Sequence, residues 1–120
     1  MGKLVRDLIP SIIEASGRVP LFRTLDPVDY GKALIDKLFE EAREFRDALP
    51  ESRPEELADV LEVVRALAEH LGLTDAALDA LAADKRSRRG GFEQRIWLEK
   101  PLMPVPPVRR IEETFDEQCS

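Results

Sequence analysis

The chain has few of the features that mark exported or membrane-inserted proteins. It contains a single cysteine, Cys119, so no disulfide can form within it, and a reducing compartment is the default expectation. Its first residues hold no apolar run of signal-peptide length. No uninterrupted apolar stretch approaches the length of a membrane span. We therefore expect a cytoplasmic protein without a membrane partner.

An excess of positive charge is also missing. Eighteen basic residues stand against 24 acidic ones, giving a net charge of −6, which argues against binding to nucleic-acid polymers or anionic membrane surfaces. The acids concentrate between residues 36 and 62, whereas bases dominate between residues 85 and 95. An acidic centre with a basic edge suits a metal ion bound beside a phosphate-bearing ligand.

What the chain does contain is a composition typical of a helical globular domain. It has 120 residues, of which 43% are apolar and 35% charged, enough for one domain with a core. We expect this domain over residues 1–100. Prolines at 101, 104, 106 and 107 preclude regular structure beyond it, so residues 101–120 are expected to form a flexible tail, Pro-rich and then acidic.

Capping and breaking residues predict four helices. The first is expected from about Pro10 to Ser16, and the second from Pro27, after an Asp26 cap, to Leu49. The third is expected to begin at a Ser52–Glu55 capping box and to end at Leu71, with Gly72 as the stop. The fourth is expected to run from a Thr74 cap to Arg89, with Leu78 and Leu81 on its inner face. Residues 19–25 and 92–98 are predicted to be extended. Because the loop between the two long helices is short, we expect them to pack antiparallel. The predicted fold is an all-α, antiparallel helical bundle with short extended terminal segments.

Each of the two long helices carries a glutamate where its apolar stripe predicts a core residue. The stripes are Leu34, Leu38, Glu41 and Phe45 on the first helix, and Glu56, Val60, Val63 and Leu67 on the second. A second carboxylate, Glu44 or Asp59, follows each of these glutamates after three residues, one turn along the same side. Unpaired carboxylates facing a core cost several kcal/mol, so their convergence requires a cation.

The depths of the four carboxylates along the antiparallel helices overlap, so they can surround one small volume. All four are hard oxygen donors, which selects Mg²⁺ or Mn²⁺ over zinc or copper. Glu40 lies beside them and can hold a second cation or orient a water. A carboxylate-held Mg²⁺ usually completes its shell with phosphates and water, so hydrolysis of a phosphate ester or anhydride is the natural reaction class.

Plainer interpretations of the same residues stay open. Glu40, Glu41 and Glu44 are also compatible with a solvated helix face paired with Lys37 and Arg43. The repeat of the pattern on the adjoining helix is what favours a metal site. The bases near the end of the fourth helix either contact phosphate or complement the helix dipole; these are Lys85, Arg88 and Arg89.

The spacing Glu40-Glu41-x-x-Glu44 followed by Glu56-x-x-Asp59 resembles the signature of the all-α nucleoside triphosphate pyrophosphohydrolases, the MazG-like superfamily. The run Lys3-Leu4-Val5-Arg6-Asp7-Leu8-Ile9-Pro10, together with Arg89-Gly90-Gly91-Phe92, is similar to its phosphoribosyl-ATP pyrophosphohydrolase-like branch. The resemblance covers about residues 3–99.

This resemblance implies a helical bundle that assembles as a dimer or tetramer and uses Mg²⁺. It implies hydrolysis of a nucleotide between the α and β phosphates, on substrates that range across the superfamily from noncanonical nucleotides through dUTP and dCTP to phosphoribosyl-ATP. Carried over by motif, the metal ligands are Glu41, Glu44, Glu56 and Asp59; the catalytic carboxylates are Glu40, Glu41 and Glu44; and the substrate-binding residues are Lys85, Arg88, Arg89, Lys3 and Arg6.

There are two alternatives to a hydrolase. A di-metal carboxylate oxidase usually has Glu-x-x-His pairs, and neither acidic motif has a histidine at the required position. A non-catalytic helical oligomerisation or regulatory module, whose carboxylates pair with a partner's arginines, is the alternative to an enzyme.

Overall fold

The computed structural model describes residues 2–99 of the chain, and these residues are all-helical, without a strand. The helices are α1 (Ile9–Ala15), α2 (Pro27–Asp47), α3 (Arg53–His70) and α4 (Asp75–Arg89), and a 3₁₀ turn (Pro50–Ser52) precedes α3. All four predicted helices are confirmed, and their ends lie within two residues of the predicted ones. The predicted tail, residues 101–120, lies outside the described residues.

Three of the predicted capping signals are confirmed. The Asp26 carboxylate accepts a hydrogen bond from the Asp29 backbone N–H at 2.8 Å, at the start of α2. The Thr74 hydroxyl accepts from the Ala77 N–H at 3.0 Å, at the start of α4. At the end of α3, Gly72 adopts a positive φ of 83°, which only glycine reaches without strain and which reverses the chain.

The predicted capping box at Ser52 is wrong. Ser52 has helical dihedrals, φ −94° and ψ −9°, and its side chain makes no capping hydrogen bond. The reason is the 3₁₀ turn, which ends at Ser52 and runs directly into α3. An N-cap residue needs an extended backbone to aim its side chain at the first free N–H groups, and Ser52 lacks that backbone.

Contacts at both ends show that α2 and α3 run in opposite directions. Near the start of α2, the Tyr30 ring meets the His70 ring at the end of α3 edge-on, with centroids 5.5 Å apart. A Cβ at Gly31 would lie 2.6 Å from His70 Nε2, so glycine allows this close approach. At the other end, the Arg53 guanidinium lies 5.7 Å from the centroid of the Phe45 ring. The two helices therefore form a hairpin.

The core of the described chain is small. Only Leu34, Val63 and Ala68 are buried apolar residues within it. All eight positions of the two predicted stripes are buried or half-buried, which confirms the stripes. The predicted inner face of α4 is wrong at Leu81, which is 55% exposed, because α4 packs against no other helix of residues 2–99.

Among the described residues, those from Arg89 to residue 99 belong to a second unit, and the first unit ends at Arg88. As far as residue 99, no helix or strand follows α4. The extended segment predicted over residues 92–98 is wrong in its first half, because the Arg95 N–H donates to the Phe92 carbonyl oxygen at 3.1 Å, which closes a turn, and Arg95 has a φ of 57°. Within residues 2–99, no helix has the length and apolar character needed to cross a membrane.

The two helix caps predicted at Asp26 and Ser52 allow a matched test of stability. Asp26→Ala removes an observed capping bond and should lower the free energy of unfolding by about 1 kcal/mol. Ser52→Ala removes no such bond and should leave it unchanged. Urea unfolding followed by circular dichroism measures both. Equal losses in the two variants would contradict the capping geometry described above.

Candidate metal centre

The five carboxylates singled out in the sequence come together on the α2–α3 hairpin. Oxygen atoms of Glu41, Glu56 and Asp59 lie within 4.8 Å of one another, and so do oxygen atoms of Glu40, Glu41 and Glu44. Glu41 belongs to both groups, which we call the inner triad (residues 41, 56 and 59) and the outer triad (residues 40, 41 and 44). The helical spacing of three and four residues produces this arrangement, since it places each set on one side of its helix.

Glu41 is the one buried charged residue of the described chain, at 8% exposure. Its Oε2 lies 3.3 Å from Lys37 Nζ, but its Oε1 is buried without a hydrogen-bond partner. Glu56 Oε1 is buried without a partner as well. A buried carboxylate oxygen that accepts no hydrogen bond costs several kcal/mol unless a cation compensates it. Both orphaned oxygens belong to the inner triad, so the inner triad has the strongest need for a ligand.

Lys37 is a counter-ion that sequence reasoning treated only as a surface partner. Its Nζ lies 3.4 Å from Glu40 Oε2 in addition to its contact with Glu41, and its side chain is only 14% exposed. The signal was present in the sequence, because Lys37 precedes the stripe glutamate Glu41 by four residues, one turn of helix. Lys37 is therefore a built-in part of the acidic centre.

The segment before α1 supplies two more cations. Arg6 Nη2 donates to Asp59 Oδ1 at 2.7 Å, and Lys3 Nζ lies 3.6 Å from Glu40 Oε2. The two residues that the resemblance assigns to substrate thus lie on carboxylates that it assigns to metal and catalysis. Motif matching indicated that Lys3 and Arg6 matter, but it did not reveal these partners.

The net charge of the acidic centre remains negative despite these cations. Five carboxylates and three cations leave a local charge of −2. The charge of Glu41 raises the pKa of Glu44, with burial and the charges of Glu40 and Glu56 adding to the effect. Burial also acts to raise the pKa of Glu40, but Lys37 and Lys3 outweigh it and lower that pKa. The charge of the neighbouring carboxylates is therefore felt as far as Glu44.

Two clefts border the acidic centre. One, of about 580 Å³, is lined by outer-triad residues together with Glu56 and Arg43. The other, of about 930 Å³, has Glu41 and Asp59 at its polar end and Leu4, Leu8 and Ile12 among its apolar walls. Both volumes lie in the range of small-molecule sites. The carboxylates are thus accessible from two sides.

The basic residues of α4 are placed elsewhere. Lys85 and Arg88 are exposed and border neither cleft, and Arg88 Nη2 pairs with Asp84 Oδ2 at 3.1 Å one turn earlier on the same helix. Arg89 is the last residue of α4 and belongs to the second unit. Within the unit that ends at Arg88, the acidic centre and the bases of α4 are not brought together.

An oxygen-only donor set fits a hard divalent cation. Mg²⁺ and Mn²⁺ favour carboxylates, whereas neither triad offers the imidazole or thiolate that zinc and copper prefer. The residues present therefore fit Mg²⁺, the ion that the sequence motif implies.

Comparison with known proteins gives little beyond this geometry. No protein-family model matches the chain, and no solved structure matches it. An uncharacterized protein of Mycolicibacterium smegmatis is 54% identical to it over 48 residues, which are 40% of this chain and 49% of that protein. The chain thus matches about half the length of this relative, and the similarity establishes neither a family nor an activity.

Two adjacent glutamates of α3 allow a matched test of cation binding. At a Mn²⁺ concentration about 100 times the Kd, mass action should stabilise the wild-type protein by about 2.7 kcal/mol and raise its Tm. Glu56→Gln should abolish this rise, because Glu56 belongs to the inner triad. Glu55→Gln makes the same charge change at an exposed neighbouring position and should keep it.

Differential scanning fluorimetry with and without Mn²⁺ measures these shifts. If Mn²⁺ does not change the Tm of the wild-type protein, or if it changes the Tm of both variants equally, the inner triad is not a metal site.

Proposed function

We propose that this protein is a Mg²⁺-dependent nucleotide pyrophosphohydrolase. It hydrolyses a nucleoside triphosphate or related nucleotide between the α and β phosphates, giving a monophosphate and pyrophosphate. The observation that carries the proposal is Glu41, a buried carboxylate with one oxygen lacking a partner, shared between two carboxylate triads on adjacent helices. The resemblance of the acidic motif to that of MazG-like enzymes supplies the reaction class.

The carboxylates have distinct roles in this proposal. Glu41, Glu44, Glu56 and Asp59 hold the cation, which when bound neutralises phosphate charge and makes water a better nucleophile. Glu40 orients the attacking water or assists with a second ion. The pairing with Lys37 and Lys3 that lowers the pKa of Glu40 keeps it ionised, so its carboxylate can accept a hydrogen bond from that water.

A nucleotide is accommodated by the clefts on either side of the acidic centre. Because both clefts reach the carboxylates, a ligand in either can place phosphates beside the cation. Arg43 at the smaller cleft and Arg6 at the larger are positive groups that suit phosphate oxygens. Lys85 and Arg88 keep their proposed role as phosphate contacts only if a second subunit contributes them, since they border neither cleft. Arg89 keeps its proposed role as a phosphate contact.

The proposal includes a cytoplasmic homo-oligomer, a dimer or tetramer, in which the hairpins complete an antiparallel MazG-like bundle. The support is the small number of buried apolar residues and the apolar side chains left on the surface. Val28, Ile35 and Phe39 are exposed at a spacing that places them on one face of α2, and Leu57 and Leu61 are exposed one turn apart on α3. Exposed apolar surface of this extent is typical of a protein interface.

The alternative function is a non-catalytic oligomerisation or regulatory module with a degenerate acidic site. One observation favours it: Lys3, Arg6 and Lys37 already pair with carboxylates of the centre. In such a module these ion pairs are structural and no divalent cation is needed. Metal binding and pyrophosphate release therefore discriminate the two functions.

Activity is tested with a panel of canonical and noncanonical nucleotides, with pyrophosphate release as the readout. Glu41→Gln and Asp59→Asn should each lower the rate by about 100-fold or more, because each removes a charged ligand of the cation that neutralises the phosphates. Glu55→Gln should retain the wild-type rate. Circular dichroism confirms that the variants are folded. Wild-type rates in both site variants, or no release from any nucleotide, would contradict the proposed function.

Assembly is tested by size-exclusion chromatography with light scattering. The wild-type protein should have a mass at least twice the 13.6 kDa of one chain. Phe39→Glu places a charge on the proposed interface and should shift the mass towards that of a monomer. Leu21→Glu, at a residue that is 99% exposed outside the helices, should have no effect. A wild-type protein that elutes as a monomer would contradict the assembly.

A further inference from the structure

Residues 3–8, which precede α1, are held against the acidic centre by charge. We call this segment the N-terminal strap. Arg6 binds Asp59 at 2.7 Å and Lys3 lies 3.6 Å from Glu40. Its residues Leu4, Val5 and Leu8 at the same time form part of the wall of the larger cleft. The strap therefore touches both the carboxylates and the space beside them.

The strap is lightly held compared with the other counter-ion of the centre. The side chains of Lys3 and Arg6 are 64% and 57% exposed, so water competes for both ion pairs. Lys37 is 14% exposed and contacts both Glu40 and Glu41, so water competes less for its ion pairs. Of the three cations, the two on the strap are the ones that a competing ion can displace.

A divalent cation at Asp59 competes with Arg6 for the same carboxylate. Its position in the inner triad would make it share a cation with Glu41 and Glu56. A doubly charged ion there repels the Arg6 guanidinium, whose Nη2 lies 2.7 Å from Asp59 Oδ1. A displaced arginine retains five donors arranged in a planar fork that matches phosphate oxygens. The same side chain is thus suited to both partners, one at a time.

We propose that the strap is exchanged between two partners: a divalent cation releases Arg6 and Lys3 from Asp59 and Glu40, and the phosphates of a bound ligand recapture them. Release opens the larger cleft, because the strap forms one of its walls. Recapture closes it over the ligand. This inference rests on the proposed metal site, and it assigns Lys3 and Arg6 one role before metal binding and another after it.

Nuclear magnetic resonance tests the exchange on the full chain. The {¹H}–¹⁵N heteronuclear NOE of residues 4–8 should fall when Mg²⁺ is added, because the strap becomes mobile. It should rise again when pyrophosphate is added in excess Mg²⁺, because phosphate recaptures the strap. The amides around Glu41, Glu56 and Asp59 report independently whether Mg²⁺ is bound.

The outcomes separate this inference from the function on which it rests. If Mg²⁺ shifts the amides of the triads while the NOE of the strap stays constant or increases, the exchange is refuted and the metal site stands. If pyrophosphate leaves the released strap mobile, recapture is refuted. If Mg²⁺ shifts no triad amide, the metal site fails and the exchange fails with it.

Calorimetric titration measures the affinity of two matched variants for Mn²⁺. Arg6→Gln removes the competing cation and should tighten Mn²⁺ binding about two- to fivefold, the size of an exposed ion pair. Arg65→Gln is the control, because Arg65 borders the same cleft and is similarly exposed but pairs with Asp75, outside both triads. It should change the affinity by less. Equal effects of the two variants would mean that only general charge matters, which would overturn the displacement.

Discussion

The burial of one carboxylate organises this molecule. Glu41 lies on the apolar stripe of α2, facing α3. A residue buried in this position is normally apolar. A lone charge there would destabilise the hairpin, so the surrounding sequence supplies compensation from several directions. Lys37 compensates one oxygen from the same helix, while the other oxygen has no partner in the described chain. The hairpin is thus stable enough to form but retains a local demand for positive charge.

That demand explains why the cations of the centre differ in character. Lys37 is a permanent neutraliser, since its stem is buried and its position is fixed by α2. Arg6 and Lys3 arrive from a segment without regular structure, and their side chains are largely in water. If all five carboxylates were permanently paired with cations of the protein, none of their charge would be left for a ligand to neutralise. In the proposed exchange, the partial pairing seen here would leave the centre able to bind a cation.

Local features of this protein were predictable from sequence, and features that depend on distant contacts were not. The helices, the Asp26 and Thr74 caps and the stripe containing Glu41 follow from spacing within a few residues. The pairing of Arg6 with Asp59 spans 53 positions, and no local pattern encodes it. Ser52 failed as a cap because an adjacent 3₁₀ turn overrode a favourable side chain. Leu81 failed as a core residue because amphipathicity shows which face is apolar, not whether the chain covers it.

The sequence pattern likewise does not show what covers the exposed apolar residues of α2 and α3. Three apolar residues of the described hairpin are fully buried, so further burial through assembly would add to its stability. Phe39 and Leu57, two of the exposed apolar residues, are next in sequence to Glu40 and Glu56 and so point about 100° away from them around their helices. A partner that covers these apolar residues can therefore leave the carboxylates accessible. One face of the hairpin is therefore available for assembly while the other keeps its carboxylates open to a ligand. This separation allows stability and chemistry to be provided by different faces of the same two helices.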